Sequence, residues 1–181
     1  MKYLITERQL KLIKEDKDKI LEFDFDFFNN NWNVLQKFLE RRGNPPYIIT
    51  GNLNLEDSII ESLGNLQSVG GYLYLSDSNI ESLGNLQSVG GYFFLRNSNI
   101  ESLGNLQSVG SYLNLEGSKI ESLGNLQSVE GNLFLRNSNI ESLGNLQYVG
   151  GNLYLRNTPL SKTTTEEDIR NQVEIGGNIY L

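Results

Sequence analysis

The sequence predicts a repeat solenoid. One parallel β-sheet of about seven strands lies on one face, with short non-helical return segments, a helical N-terminal cap and a small C-terminal cap helix. Three observations predict it. The stretch SLGNLQSVGG at Ser62–Gly71 returns unchanged at Ser82–Gly91, and with small edits from Ser102, Ser122 and Ser142, at a fixed interval of twenty residues. Within an interval, Leu73 and Leu75 alternate with Tyr72, Tyr74 and Ser76, the period of a strand with one apolar face. Ile80, Leu83, Leu86 and Val89 then recur every three residues, a spacing that lets an extended or 3₁₀-like return path point one side chain inward per step.

Aligned on that interval, each unit reads G-x-L-x-L-x-x-S-x-I-E-S-L-G-N-L-Q-x-V-x and begins at Gly51, Gly71, Gly91, Ser111, Gly131 and Gly151. The sixth unit breaks off after LYLRNTPL, and EIGGNIYL near the end restates YVGGNLYL as a seventh strand. One coil alone buries too few aliphatics to offset the ordering of its own backbone, so its neighbours must supply strand hydrogen bonds and a shared core. Identical interiors stack best, which accounts for the repetition. Ser58, Ser78, Ser98, Ser118, Ser138 and Thr158 form a column after the strand, expected to bond to backbone groups of the adjacent coil. The Gly64–Gly144 and Asn65–Asn145 columns read as turn chemistry.

The ends do not repeat. Residues 1–45 are read as a helical N-terminal cap, 46–160 as the solenoid, and 161–181 as a cap helix plus the last strand. Near the start, Ile5, Leu10 and Ile13 are spaced for a short helix that Thr6 could cap. EFDFDFF alternates Glu22, Asp24 and Asp26 with Phe23, Phe25 and Phe27, as a strand or amphipathic turn over a phenylalanine-lined core. Its carboxylates lack the turn glycine and further ligands of a calcium loop. A second helix is predicted where Trp32, Leu35, Phe38 and Leu39 share a face, with Gly43 ending it and Pro45 and Pro46 forbidding continuation. A third is predicted with Thr164 as N-cap and Glu167 at N3.

Composition narrows the chemistry. The 181 residues include no Cys, His or Ala. That composition removes disulfides, thiolate nucleophiles, imidazole bases and the usual zinc ligands, so no metal or other cofactor is expected. Glu61 and Ser62 recur in each of the five full units and have no unique base beside them, so catalysis is not expected. A formal charge of −7 argues against general nucleic-acid binding. The start lacks the apolar core of a secretory signal and no run reaches membrane-spanning length, so a cytoplasmic protein with no membrane contact is expected. Abundant Asn, Lys, Ile and Tyr without Ala suggest an AT-rich genome, as many viruses have.

Outward positions of the predicted sheet form three columns spaced by one coil, roughly 4.8 Å. The first reads Asn54, Tyr74, Phe94, Asn114, Phe134, Tyr154, Tyr180, and beside it run Asn52, Tyr72, Tyr92, Tyr112, Asn132, Asn152, Asn178. The third reads Glu56, Ser76, Arg96, Glu116, Arg136, Arg156. Aromatics flanked by arginines have the composition of an interaction surface. The candidate partner-binding residues are therefore Tyr72, Tyr74, Tyr92, Phe94, Arg96, Tyr112, Asn114, Phe134, Arg136, Tyr154 and Arg156. Aromatics also stabilise strands without any partner, but these positions vary from unit to unit while the interior does not. The Glu61, Glu81, Glu101, Glu121, Glu141 column reads as a solvated acidic edge.

The stretches L-Q-S-V-G-G-Y-L-Y-L and L-x-L-x-x-S-x-I-x-S-L resemble leucine-rich repeats, and the V-G-G-x-L-x-L junction is most similar to the receptor L-domain type. The resemblance covers residues 46–160 and 175–181. It implies a right-handed coil with its sheet on one face, and binding rather than catalysis. The cysteine-rich caps of extracellular members are missing, and Ser stands where many members carry Asn. ITERQLKLI is similar to N-terminal segments of phage-encoded proteins. The expected function is a protein–protein interaction module using the aromatic and arginine face, a viral protein acting on a host factor in the host cytoplasm. A structural or self-assembling particle component and a carbohydrate-binding protein are the alternatives, and the oligomeric state stays open.

Overall fold

A computed structural model describes residues 20–181, so the short helix expected around Ile5, Leu10 and Ile13 lies outside the described residues. The chain winds as a parallel β-solenoid with a twenty-residue coil. Leu53–Asn54, Leu73–Tyr74, Phe93–Phe94, Leu113–Asn114, Leu133–Phe134, Leu153–Tyr154 and Ile179–Tyr180 form a seven-stranded parallel sheet in chain order. Register is strict: Leu53, Leu73, Phe93, Leu113, Leu133, Leu153 and Ile179 lie side by side.

The return segment also carries a sheet, which the expectation of a single sheet omitted. Leu21–Phe23, Tyr47–Ile49, Leu66–Val69, Ser88–Val89, Ser108–Val109, Ser128–Val129, Tyr148–Val149 and Glu174–Ile175 make eight parallel strands. Isolated bridges Ser62 to Ser82 and Ser122 to Ser142 mark a third extended stretch between the two sheets. Both ladders are bonded from coil to coil. Leu73 N–H donates forward to Tyr92 O at 2.9 Å, whereas Gly90 N–H donates back to Val69 O at 2.8 Å.

Residues at the corners adopt the left-handed conformation. Asp57, Asp77, Asn97, Asn137 and Asn157 have φ between 54° and 60°, with Gly117 at 69° in the same column. Asn and Asp tolerate this region because their short side chains bond locally. Gly64, Gly84, Gly104, Gly124 and Gly144 turn the next corner at φ of 56–59°. Between corners the predicted inward positions are buried, with Leu73, Leu75, Ile80, Leu83, Leu86 and Val89 all at most 1 % exposed.

The serine column does not reach the adjacent coil as expected. Ser78, Ser138 and Thr158 donate to Leu75, Leu135 and Leu155 O of their own coil at 2.6–2.7 Å, three residues back on the strand each follows. Ser58, Ser98 and Ser118 Oγ have no partner among the described residues. Ladders between coils are made by asparagines instead. Asn85 Nδ2 donates to Asn65 Oδ1 at 2.8 Å and Asn157 Nδ2 to Asn137 Oδ1 at 3.0 Å. Asn132 Oδ1 accepts the Asn152 N–H at 2.7 Å.

At the N-terminal end, the alternation of EFDFDFF persists only through Leu21–Phe23. Asp24 then caps a 3₁₀ turn over Phe25–Phe28 by accepting the Asp26 N–H, which buries Phe25 and Phe28 and leaves Phe27 exposed. The helix Trp32–Glu40 begins at Asn31, whose Oδ1 accepts the Val34 N–H at 3.1 Å, and it buries Leu35 and Leu39. Rings of Phe23, Phe27, Phe28 and Phe38 pack at 4.9–6.2 Å.

At the other end, the helix Glu166–Gln172 is capped one residue later than expected. Thr165 and Asp168, not Thr164 and Glu167, close the capping box. Three consecutive threonines before EED offer several frames, and the one adopted buries Ile169. From this helix Arg170 donates from Nη1 to Ile175 O at 3.0 Å and from Nη2 to Gly177 O at 2.9 Å. In earlier coils the corresponding carbonyls, Val149 O and Gly151 O, accept amides of the following coil.

Candidate interaction face

In the seven-stranded sheet the first residue of each two-residue strand turns inward and the second outward. Because register is strict, Asn54, Tyr74, Phe94, Asn114, Phe134, Tyr154 and Tyr180 lie in one outward row. Tyr74 and Phe94 stack at 5.2 Å with 7° between planes. Phe134, Tyr154 and Tyr180 stack successively at 4.7 Å and 3°. A second row holds Tyr72, Tyr92 and Tyr112, with centroids 4.7 Å and 5.0 Å apart. Such contacts add about 0.5–1.5 kcal/mol per pair beyond area burial, so the rows also stiffen the sheet.

Every candidate residue therefore comes to this one face. Tyr72 and Tyr112 are exposed, whereas Tyr74, Tyr92, Phe94, Phe134 and Tyr154 show their rings half-buried between neighbours. Arg96 and Arg156 are exposed beside the rows and take part in no ion pair among the described residues. Arg136 is held more closely, its guanidinium carbon 4.4 Å from the Tyr154 ring centre and its Nη1 3.8 Å from Glu116 Oε1. An ion pair of that length and exposure adds little stability, so Arg136 remains open to a competing carboxylate.

Asn114 differs from its neighbours. Its Oδ1 accepts the Glu116 N–H at 2.9 Å, folding the side chain onto its own strand, as Asn54 does with the Glu56 N–H at 3.0 Å. Both belong to the triplet Asn-Leu-Glu, a signal present in the sequence. The ring row is thereby interrupted between Phe94 and Phe134.

The remaining faces offer less chemistry. The eight-stranded sheet has a shallow groove of about 310 Å³ lined by small residues such as Ser88, Gly90, Ser108 and Gly110, with Glu130 at one end. Glu61, Glu81, Glu101, Glu121 and Glu141 are all exposed along the return path. Among the described residues no three acidic side chains converge to hold a metal ion, and no helix is long and apolar enough to cross a membrane. Compared with family models, curated proteins and solved structures, the chain matches none.

Proposed function

We propose that the protein is a binding module whose seven-stranded sheet receives a protein partner. The observation that carries this reading is the pair of aromatic rows open to solvent on one face, with Arg96 and Arg156 exposed along their margin. Aromatic and arginine side chains dominate binding energy at protein interfaces because they bury large areas with few rotatable bonds. The leucine-rich-repeat resemblance of the unit supports binding over catalysis. Abundant Asn, Lys, Ile and Tyr without Ala suit a viral protein directed at a host factor.

Affinity capture from the native cell, followed by mass spectrometry, tests the reading. Tyr74→Ala, Phe94→Ala and Arg136→Ala are each expected to reduce partner recovery about tenfold or more while leaving the circular dichroism spectrum unchanged. Undiminished recovery with all three overturns it.

Self-assembly is the second reading. It would extend a sheet edge by the strand pairing that already joins coils here, in which Leu153 and Leu155 donate to Asn178 O and Tyr180 O. Against it, Arg170 covers the matching edge of the other sheet. A concentration-independent monomer in analytical ultracentrifugation would remove this second reading.

A further inference from the structure

The geometry points to a slot at Asn114 that takes one aromatic side chain from an acidic segment of the partner. This inference rests on the binding role of the sheet face and names what the face recognises. Phe94, Asn114 and Phe134 are direct register neighbours, so the two rings stand two coils apart, about 9.6 Å at the spacing of adjacent strands. Elsewhere in the row one coil separates stacked rings by 4.7 Å. A ring inserted over Asn114 would lie about 4.8 Å from each neighbour, within the range for offset stacking. Asn114 leaves the space open by bonding to its own strand, and Arg136 leaves it open by lying over Tyr154 on the far side. Tyr112 supplies a side wall, its ring 6.3 Å from Phe134 and edge-on to it.

The rim selects the flanking charge. From Arg96 to Arg156, the stretch of margin beside Asn114, three arginines stand against one carboxylate, Glu116, a local positive balance on a chain whose net charge is −7. Acidic residues on either side of the inserted ring would meet these guanidinium groups, with Arg136 exchanging its 3.8 Å contact to Glu116 for a closer one. A nucleobase could also stack here, but a phosphate chain crossing the face would meet Glu56, Asp57 and Asp77 at the other end of the same margin.

The test uses the full chain and a short, labelled Glu/Asp peptide with one central tryptophan. A central-leucine peptide and a single-stranded oligothymidylate serve as comparison ligands. The tryptophan peptide is expected to bind at least about tenfold more tightly than the leucine peptide or the oligonucleotide. Asn114→Phe, which completes the row, should weaken the tryptophan peptide by about tenfold while holding the melting temperature at or above that of the unaltered protein. Asn114→Ala is the stability reference for Asn114→Phe, and Asn54→Ala, in the same row outside the slot, should bind within about threefold of the unaltered protein.

The slot is overturned if Asn114→Phe binds the tryptophan peptide undiminished, if that peptide does not bind the unaltered protein, or if the oligonucleotide binds better. It is also overturned if Asn114→Phe melts well below Asn114→Ala, since the added ring would then lie outside the row. Partner capture separates the two readings. Loss with Tyr74→Ala but not with Asn114→Phe keeps the face and removes the slot, whereas indifference to both removes the face itself.

Discussion

Gly84 and Gly124 turn the same corner in different coils, with φ of 58° and 56°. That conformation alone disfavours an ordinary side chain by about 1–2 kcal/mol. Their surroundings differ, since a Cβ on Gly84 would overlap Gly64 O, whereas one on Gly124 meets nothing within 4 Å. Gly124→Ala is therefore expected to destabilise by about 1 kcal/mol and Gly84→Ala by about 2–4 kcal/mol, read from urea midpoints. Equal losses would mean that neighbouring coils separate freely enough to admit a methyl group. Tyr47 supplies a second residue-scale expectation. Burial pushes its phenol well above the ordinary value of 10.0, opposed by a hydrogen bond from Gln36. A raised folded-state pKa contributes stability that is complete below the unfolded value and is lost as pH rises past 10 toward the folded value. Tyr47→Phe should thus lose less stability above pH 10 than the unaltered protein. Parallel curves for the two would show that Tyr47 is not held from water.

At the scale of elements, what the sequence revealed follows from how much pattern each element contains. The Leu73–Tyr74 type of strand was legible because Leu73 and Leu75 flank an outward residue, giving an alternation to read. Ser88–Val89 was not, because a two-residue strand that turns only Val inward and runs into two glycines contains no alternation. The helix at Trp32–Glu40 was legible from its apolar face, whereas the cap at Thr165 was off by one because local chemistry does not rank three threonines and the burial of Ile169 does. The candidate face followed from the period itself, since a fixed interval assigns every outward residue to a row once coils are in register. The fold of Asn114 onto its strand did not follow, because an amide that points outward and one that bonds two residues ahead occupy the same row.

The whole molecule is close to one-dimensional, each coil touching only those before and after it, so stability is expected to vary from coil to coil. Arg170→Ala removes both donors that cover Ile175 O and Gly177 O and should weaken the last coil by about 1–2 kcal/mol. Hydrogen exchange should accelerate at the Gly176 and Gly177 amides and remain unchanged at Gly90 and Gly110. Arg170→Lys should restore little, because one ammonium does not reproduce the two-pronged guanidinium. Uniform acceleration along the chain would instead show that the coils melt together.

The groups that Arg170 grips are main-chain oxygens, which every storey possesses whatever its side chains. A helix so attached would fit a taller or shorter tower equally well, so whole-unit duplication or loss can alter height by about 4.8 Å a step without altering these contacts.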